Sequence, residues 1–552
     1  MIEIICENLN DKQKKYPKGI FLMEIAKDLK PQLNYPILGA LVNNKVRDLN
    51  FQIFKHKKIN FFDITHPDGY AIYQRSLYFL LYKATTGLFP DSKLIIKHSI
   101  SGGKFCEILN LPCELNEDIV NQIKYRMQEI VSKDIPFIRE ELLTEKAIEI
   151  FEKNKLFEKT LLFKTRNSVY TSVYNLDNSV NYYYGYLVPS TSYLEKFRIE
   201  KYYNGILLQP PSMENPDKFP QIVKYEKLFN VFQEHKNWIN ILDVPYVGDL
   251  NTAVENKQAT HLIKVSEALH EKKLSLIADQ IHSNKNIKII LISGPSSSGK
   301  TTFSKKLDVH LSVLGHKTIQ MSTDDYFVER ENTPRDEFGN YDFECLETLD
   351  LELFNDHLAK LLAGEEIEVP KFDFAMGKKF FEERKMQLDK DSILIIEGIH
   401  TLNPKLTSAI DKKYKFKIFV SALTQISIDS QNPIPTTDNR LIRRMVRDYK
   451  YRGYSALETL RRWQSVRRGE QKYVFPFQED VDVMFNSALL CELGVLKVFA
   501  DPILNEVPKN QPEYSEAVRL LKFLSYFKVI PESEIPPTSI LREFFGGSSF
   551  IY

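Results

Sequence analysis

The sequence predicts a multidomain protein of mixed α/β and α+β class. Its C-terminal part reads as a mainly parallel sheet with helices on both faces, and two smaller modules precede it. Three observations lead there. The chain has 552 residues, enough for several cores. Apolar, β-branched runs alternate with helical patterns between residues 286 and 505, the layout of a parallel sheet. One of those runs, Ile287 to Ile292, leads into Gly294-Pro295-Ser296-Ser297-Ser298-Gly299-Lys300-Thr301 and then into a helical pattern at Phe303, Leu307, Leu311 and Leu314.

That string reads G-x-x-x-x-G-K-[ST] in the setting strand, glycine loop, helix, which is what a phosphate-cradling loop requires. The glycines let backbone N–H groups turn toward phosphate oxygens, and the helix N-terminus adds its positive dipole end. Gly294, Ser296, Ser297, Ser298, Gly299, Lys300, Thr301 and Thr302 are therefore candidate nucleotide-binding residues, with Lys300 as a mobile cation and the Thr301 hydroxyl as a Mg²⁺ ligand.

Bulk properties narrow the field. Hydrophobic residues make up 43% and charged residues 27%, ordinary for a globular protein, and the formal net charge is +1. No global field points to nucleic acid or membrane, so any basic site is local. The five cysteines are scattered without C-x-x-C spacing, which fits a reducing, cytoplasmic setting and argues against a zinc ribbon. No basic leader with a cleavable apolar core is apparent, and no apolar run reaches the roughly 18 residues of a membrane span.

In chain order, residues 1–63 read as a strand (Ile2 to Cys6), a helix (about Leu22 to Leu29) and a hairpin over Leu41 to Leu49. This resembles the TGS domain, a small β-grasp module of threonyl-tRNA synthetases and some GTPases. Residues 64–245 read as helices at Tyr73 to Thr86, Asn116 to Ser132 and Phe137 to Lys153, with strands around Gly102-Gly103. They resemble the second additional domain of threonyl- and alanyl-tRNA synthetases, which implies RNA contact through this half. The family's zinc-binding histidine positions fall on Phe79 and Lys83, so its editing chemistry is not expected. Tyr182 to Tyr186 form an aromatic cluster, read as core in preference to a base-stacking platform. Residues 246–285 read as a helical connector and 506–552 as a C-terminal helical segment.

The chemistry lies between. A strand over Thr318 to Met321 runs into Asp324 and Asp325, and another, Ser392 to Ile396, ends in Glu397. Carboxylates at strand ends beside the glycine loop sit in the crevice where open α/β sheets bind ligands. There they suit a proton acceptor and a magnesium ligand. A helix from Asp438 to Tyr451 puts Arg440, Arg443, Arg444 and Arg447 on one face, costly unless anions compensate, and a triphosphate is one such anion. Arg461, Arg462, Arg467 and Arg468 continue a basic segment read as a mobile lid.

With Tyr341-Asp342, Pro370-Lys371-Phe372-Asp373-Phe374 and Ile396-Glu397-Gly398-Ile399 in the same order, this set resembles the uridine kinase and phosphoribulokinase family over about 220 residues. The resemblance implies an ATP- and Mg²⁺-dependent kinase for a small molecule, a nucleoside first. It implies Asp324 as general base, Thr301 and Glu397 on Mg²⁺, and Lys300 on the β/γ-phosphates. Asp342 falls on sugar hydroxyls, Phe372 and Phe374 on the substrate, and Arg444, Arg447 and Arg452 on phosphates. The tyrosine and histidine that read a pyrimidine are replaced by Phe372 and Gly377, and a further tyrosine by Phe327, so base recognition is rewritten. A sugar phosphate acceptor of the same fold, and an ATP-sensing RNA- or ribosome-associated regulator, are the alternatives. A GTPase is disfavoured by the lack of an N-K-x-D string. Homo-oligomer formation is left open.

Overall fold

The computed structural model describes residues 1–337, 339–373, 376–408 and 410–551. The first module is a mixed five-stranded sheet in the order Lys12–Tyr16, Ile2–Cys6, Lys57–Phe62, Gly39–Val42, Val46–Arg47, with Ile2–Cys6 and Lys57–Phe62 parallel. Alternate residues Ile2, Ile4 and Cys6 face inward, against the helix Leu22–Leu29. That helix buries Leu22, Ile25, Ala26 and Leu29, the i, i+3, i+4, i+7 stripe. The hairpin of the sequence reading is present, with Leu41 opposite Val46.

The next region holds the helix Pro67–Leu88, capped by His66 and started by a proline. A four-stranded sheet follows, in the order Arg198–Tyr202, Gly205–Gln209, Gly103–Leu109, Lys93–Ile100, beside a three-stranded sheet of Phe137–Leu143, Tyr170–Leu176 and Ser179–Asn181. Phe137 to Lys153 is not one helix, as its sequence suggests. Phe137–Leu143 is a strand and only Thr144–Lys153 is helical. Strand pairing with Tyr170–Leu176, in register from Phe137–Leu176 to Leu143–Tyr170, overrides the local helical pattern. Phe79 sits in the core against the rings of Phe137 and Tyr183. Lys83 is held by Asp177 and Asn178, 3.1 and 3.0 Å away. Tyr182 and Tyr183 are buried, with the Tyr182 hydroxyl against that of Tyr526, so neither ring is open to a nucleic-acid base.

The C-terminal sheet is five-stranded and wholly parallel: Thr318–Ser322, Ile393–Glu397, Ile289–Ser293, Lys415–Ser421, Val483–Asn486. The strand before the glycine loop is central, and all five of its residues are buried, as an uninterrupted apolar run demands when both faces are covered. One face packs Phe303, Leu307 and Leu311 together with Leu274, Ile277, Ala278 and Ile281 of the helix Ala259–Ser283. The stretch read as a connector therefore supplies a layer of this sheet. The opposite face packs Met321, Phe354, Leu358 and Leu361. A long hairpin, Glu366–Asp373 with Lys378–Gln387, stands beside the sheet.

The halves share a core. One apolar cluster joins Phe151, Phe163 and Tyr182 to Met445, Trp463, Tyr526 and Phe544. No helix among the described residues is long and apolar enough to cross a membrane.

Candidate active site

The glycine loop turns between the central strand and the helix Lys300–Val313. Gly294 is required by a neighbour, since a Cβ there would lie 1.9 Å from the Val420 carbonyl oxygen, and Gly299 takes a left-handed φ of +85°. The Ser296 N–H donates to Glu470 Oε1 at 2.8 Å. Lys300 Nζ folds back on the carbonyls of Gly294 and Pro295, at 3.0 and 3.3 Å. The buried hydroxyls of Ser297 and Ser298 have no partner among the described residues. Thr302 gives its N–H and hydroxyl to Glu543. A cradle of unspent hydroxyls and first-turn amides fits an anion with several oxygens.

Strand register sets Ser322 and Ile292 beside Glu397. Ser322 Oγ accepts from the Asp324 N–H at 3.3 Å, which turns the chain into the short helical turn Thr323–Tyr326. It also donates to Glu397 Oε1 at 3.1 Å, and Thr301 Oγ1 donates to the same oxygen at 3.2 Å. The predicted metal-ligating pair is thus together. Loss of hydration, then the charge of Asp324, push the Glu397 carboxyl from an ordinary 4.5 up to about 7, against the pull of Lys300. Two carboxylates that repel beside a hydroxyl make a donor set suited to a hard divalent cation, and the residues present fit Mg²⁺.

The arginine helix spans Thr436–Arg452 and ends at Gly453 in the left-handed region. Its charges divide into two groups. Arg440 and Arg443 are buried and paired within the chain. Arg440 forks onto Glu470, at 2.5 and 2.7 Å. Arg443 meets Glu492, 3.1 Å from its Nε, and the Ser487 carbonyl at 2.9 Å. Arg444, Arg447 and Arg452 share Asp448, at 3.2, 2.8 and 3.6 Å. Three guanidiniums thus converge on one carboxylate. Arg452 is pushed down to about 10, first by Arg447 and then by burial, while the same arginines hold Asp448 below its usual range. Arg444 Nη1 reaches the Ser296 hydroxyl at 2.7 Å, tying this group to the glycine loop. Asp324 is among the charges acting on Glu397, Glu344 and Arg452, which puts the predicted base in the same crevice.

On the acceptor side, Asp342 accepts from the Tyr473 hydroxyl at 3.3 Å and from the Glu344 N–H at 3.1 Å. The rings of Phe327 and Phe372 stand 5.6 Å apart. At Gly377 an added Cβ would fall within 2.8 Å of the Arg330 guanidinium. Phe374 lies outside the described residues.

Two parts were misjudged or missed in the sequence. The basic segment read as a lid is a packed helix, Ala456–Tyr473, with a Ser455/Glu458 capping box and buried Trp463 and Val466. Arg461 is spent on Glu513 at 3.1 Å, and Arg468 lies 3.7 Å from Asp336. Glu470, Glu344 and Glu543 were not foreseen. A lone acid after four arginines was the available signal for Glu470; Glu543 had none.

Glu344 resembles Glu397 in being pushed up to about 7, chiefly by burial. A carboxyl raised on folding adds stability that is full below about pH 4.5 and is lost as pH rises through about 7. Glu397 therefore withdraws stability from the ligand-free protein between pH 6 and pH 8, and Glu397→Gln is expected to raise the melting temperature at pH 8 relative to that at pH 6, compared with the same difference in the parent. Calorimetry at both pH values checks it; an unchanged difference in the variant would contradict the assignment.

Residues 289–490 match the model of the Phosphoribulokinase / Uridine kinase family. The C-terminal half carries that family's domain. A uridine kinase from Bacillus mycoides is 27% identical to the chain over 204 residues, 37% of this chain and 86% of that protein. A solved structure described as a possible uridine kinase, from Bacillus stearothermophilus, is 20% identical and covers 39% of this chain and 98% of its own, with a TM-score of 0.27. In the N-terminal half the likeness is to threonine–tRNA ligases. That of Syntrophomonas wolfei is 28% identical over 188 residues, 34% of this chain. The chain spans only 29% of that ligase's length. A domain of that kinase family thus follows a half that is similar to part of threonine–tRNA ligases.

Proposed function

We propose that the protein is a kinase that moves the γ-phosphoryl group of ATP to a hydroxyl of a small metabolite, with the 5′-hydroxyl of a nucleoside as first choice. The observation that carries this is the meeting of Lys300, Thr301, Glu397 and Arg444 at one glycine loop, each within hydrogen-bond reach of that loop or of one another. Asp324 takes the proton from the acceptor hydroxyl as its oxygen bonds to the γ-phosphorus. The bond from phosphorus to the bridging oxygen breaks, and ADP leaves. Arg444, Arg447 and Arg452 bring the spare positive charge that the transferring group needs. Thr301 and Glu397 would hold Mg²⁺, which would supply positive charge against the triphosphate. Asp342 holds acceptor hydroxyls.

The apolar pair of Phe327 and Phe372 replaces groups that donate or accept, so selection between pyrimidines by hydrogen bonds is weak here. Release of ADP across a panel of nucleosides and sugar phosphates tests the acceptor. Silence from every nucleoside with turnover of a sugar phosphate would replace the first choice.

The first module is taken as TGS-like and the second as a synthetase-type domain without its editing zinc site, in a cytoplasmic protein. Likeness to threonine–tRNA ligases favours RNA as a further partner of this half. Filter binding of tRNA at two salt concentrations tests it, since contacts to phosphates make affinity fall steeply with salt.

A further inference from the structure

The short helix Arg542–Phe545 lies far from the glycine loop in sequence, packs on the arginine helix, and reaches the first turn after the loop through Glu543. Glu543 Oε2 accepts from the Thr302 N–H at 3.1 Å and from the Thr302 hydroxyl at 2.7 Å. Thr302 is the third residue of a 14-residue helix, so that N–H is one of the first-turn donors that a helix offers to an anion. The segment around Glu543 is fastened on both sides. Lys306 donates to the Thr538 carbonyl at 3.1 Å, and Lys450 to the Phe545 carbonyl. The Arg443 guanidinium lies 4.9 Å from the Phe544 ring centre. Ile540 touches the loop itself, since a Cβ on Gly299 would lie 2.5 Å from its methyl carbon. The negative charge of Glu543 is also among those that raise the Glu397 carboxyl, so it is felt at the metal-ligating pair.

We propose that Glu543 stands in for a phosphate at the start of the P-loop helix, and that residues 538–546 form a strap which holds it there and which a nucleotide's phosphate chain must loosen. This rests on the nucleotide reading of the loop given above. An N–H and a hydroxyl already spent on a carboxylate are lost to a phosphate oxygen, and the two anions repel across the same donors. The strap therefore lowers donor affinity until the Glu543 carboxylate swings away. Its anchors at Lys306 and Lys450 are bonds to backbone carbonyls, which water can replace, while Leu541, Phe544 and Phe545 stay in the shared apolar core, so the strap loosens around Glu543 without leaving its place.

Titration calorimetry on the full chain tests this. Glu543→Gln is expected to bind ATP, and inorganic triphosphate, about tenfold more tightly, because a charge-assisted contact and its repulsion of phosphate are removed. The gain on triphosphate separates competition for phosphates from an effect on adenine. In the unaltered chain, amide hydrogen exchange over 538–546 should quicken when ATP saturates the protein, a measurement that stands even if the variant fails to fold. Equal or weaker binding by the variant, or a strap equally or better protected with ATP, overturns the strap alone. Failure of both proteins to bind either phosphate overturns the nucleotide reading and the strap with it.

Discussion

Asp324→Asn is expected to lower turnover by about 10²- to 10⁴-fold while leaving ATP affinity nearly unchanged. The reason is positional. Asp324 stands at the end of the strand beside Glu397, and its backbone is pinned by the Ser322 hydroxyl at 3.3 Å. Asparagine keeps that turn and the side-chain volume but cannot accept a proton. Because Asp324 also helps to raise the Glu397 carboxyl, the variant removes a repulsion and returns Glu397 toward an ordinary carboxylate. The effect therefore falls on the chemical step and not on assembly of the site. Steady-state rates with ATP affinity measured separately give the answer; turnover within a few fold of the parent removes Asp324 from the role of base.

Lys300→Ala is expected to weaken both ATP binding and turnover, together by about 10²-fold or more, since one cation serves ground state and transition state alike. In the ligand-free chain this ammonium sits on the carbonyls of Gly294 and Pro295. These are neutral acceptors that it gives up at small cost for a phosphate oxygen. Loss of the lysine also takes away the pull that opposes the raised Glu397 carboxyl, so that carboxyl becomes harder to ionise. Binding and rate measurements on the same preparation read both effects. Parental kinetics in this variant would rule out phosphate contact by the loop.

What the sequence revealed of this site follows from how local each feature is. The glycine loop is contiguous, and Asp324 and Glu397 lie at the ends of apolar strands whose neighbours parallel-sheet topology dictates. The four-arginine face was legible from spacing alone. Its division was not, because Glu470 and Glu492, which neutralise Arg440 and Arg443, come from other elements 30 and 49 residues on. Asp448, within the helix, could have been read as the shared partner. The strand at Phe137–Leu143 escaped notice because its pairing partner, Tyr170–Leu176, lies beyond any local window. The helix Ala259–Ser283 carried its apolar stripe openly at Leu274, Ile277, Ala278 and Ile281. Only the sheet it covers was missing from the reading.

The apolar cluster that runs from Phe151 and Tyr182 through Trp463 to Phe544 has a bearing on how such a chain can be shortened. Cutting it at the start of the P-loop domain would strip a wall from the floor on which the arginine helix rests and leave Tyr526 and Phe544 wet. The C-terminal half would then be made as an insoluble fragment, and the N-terminal half would be acting as scaffold whatever else it binds.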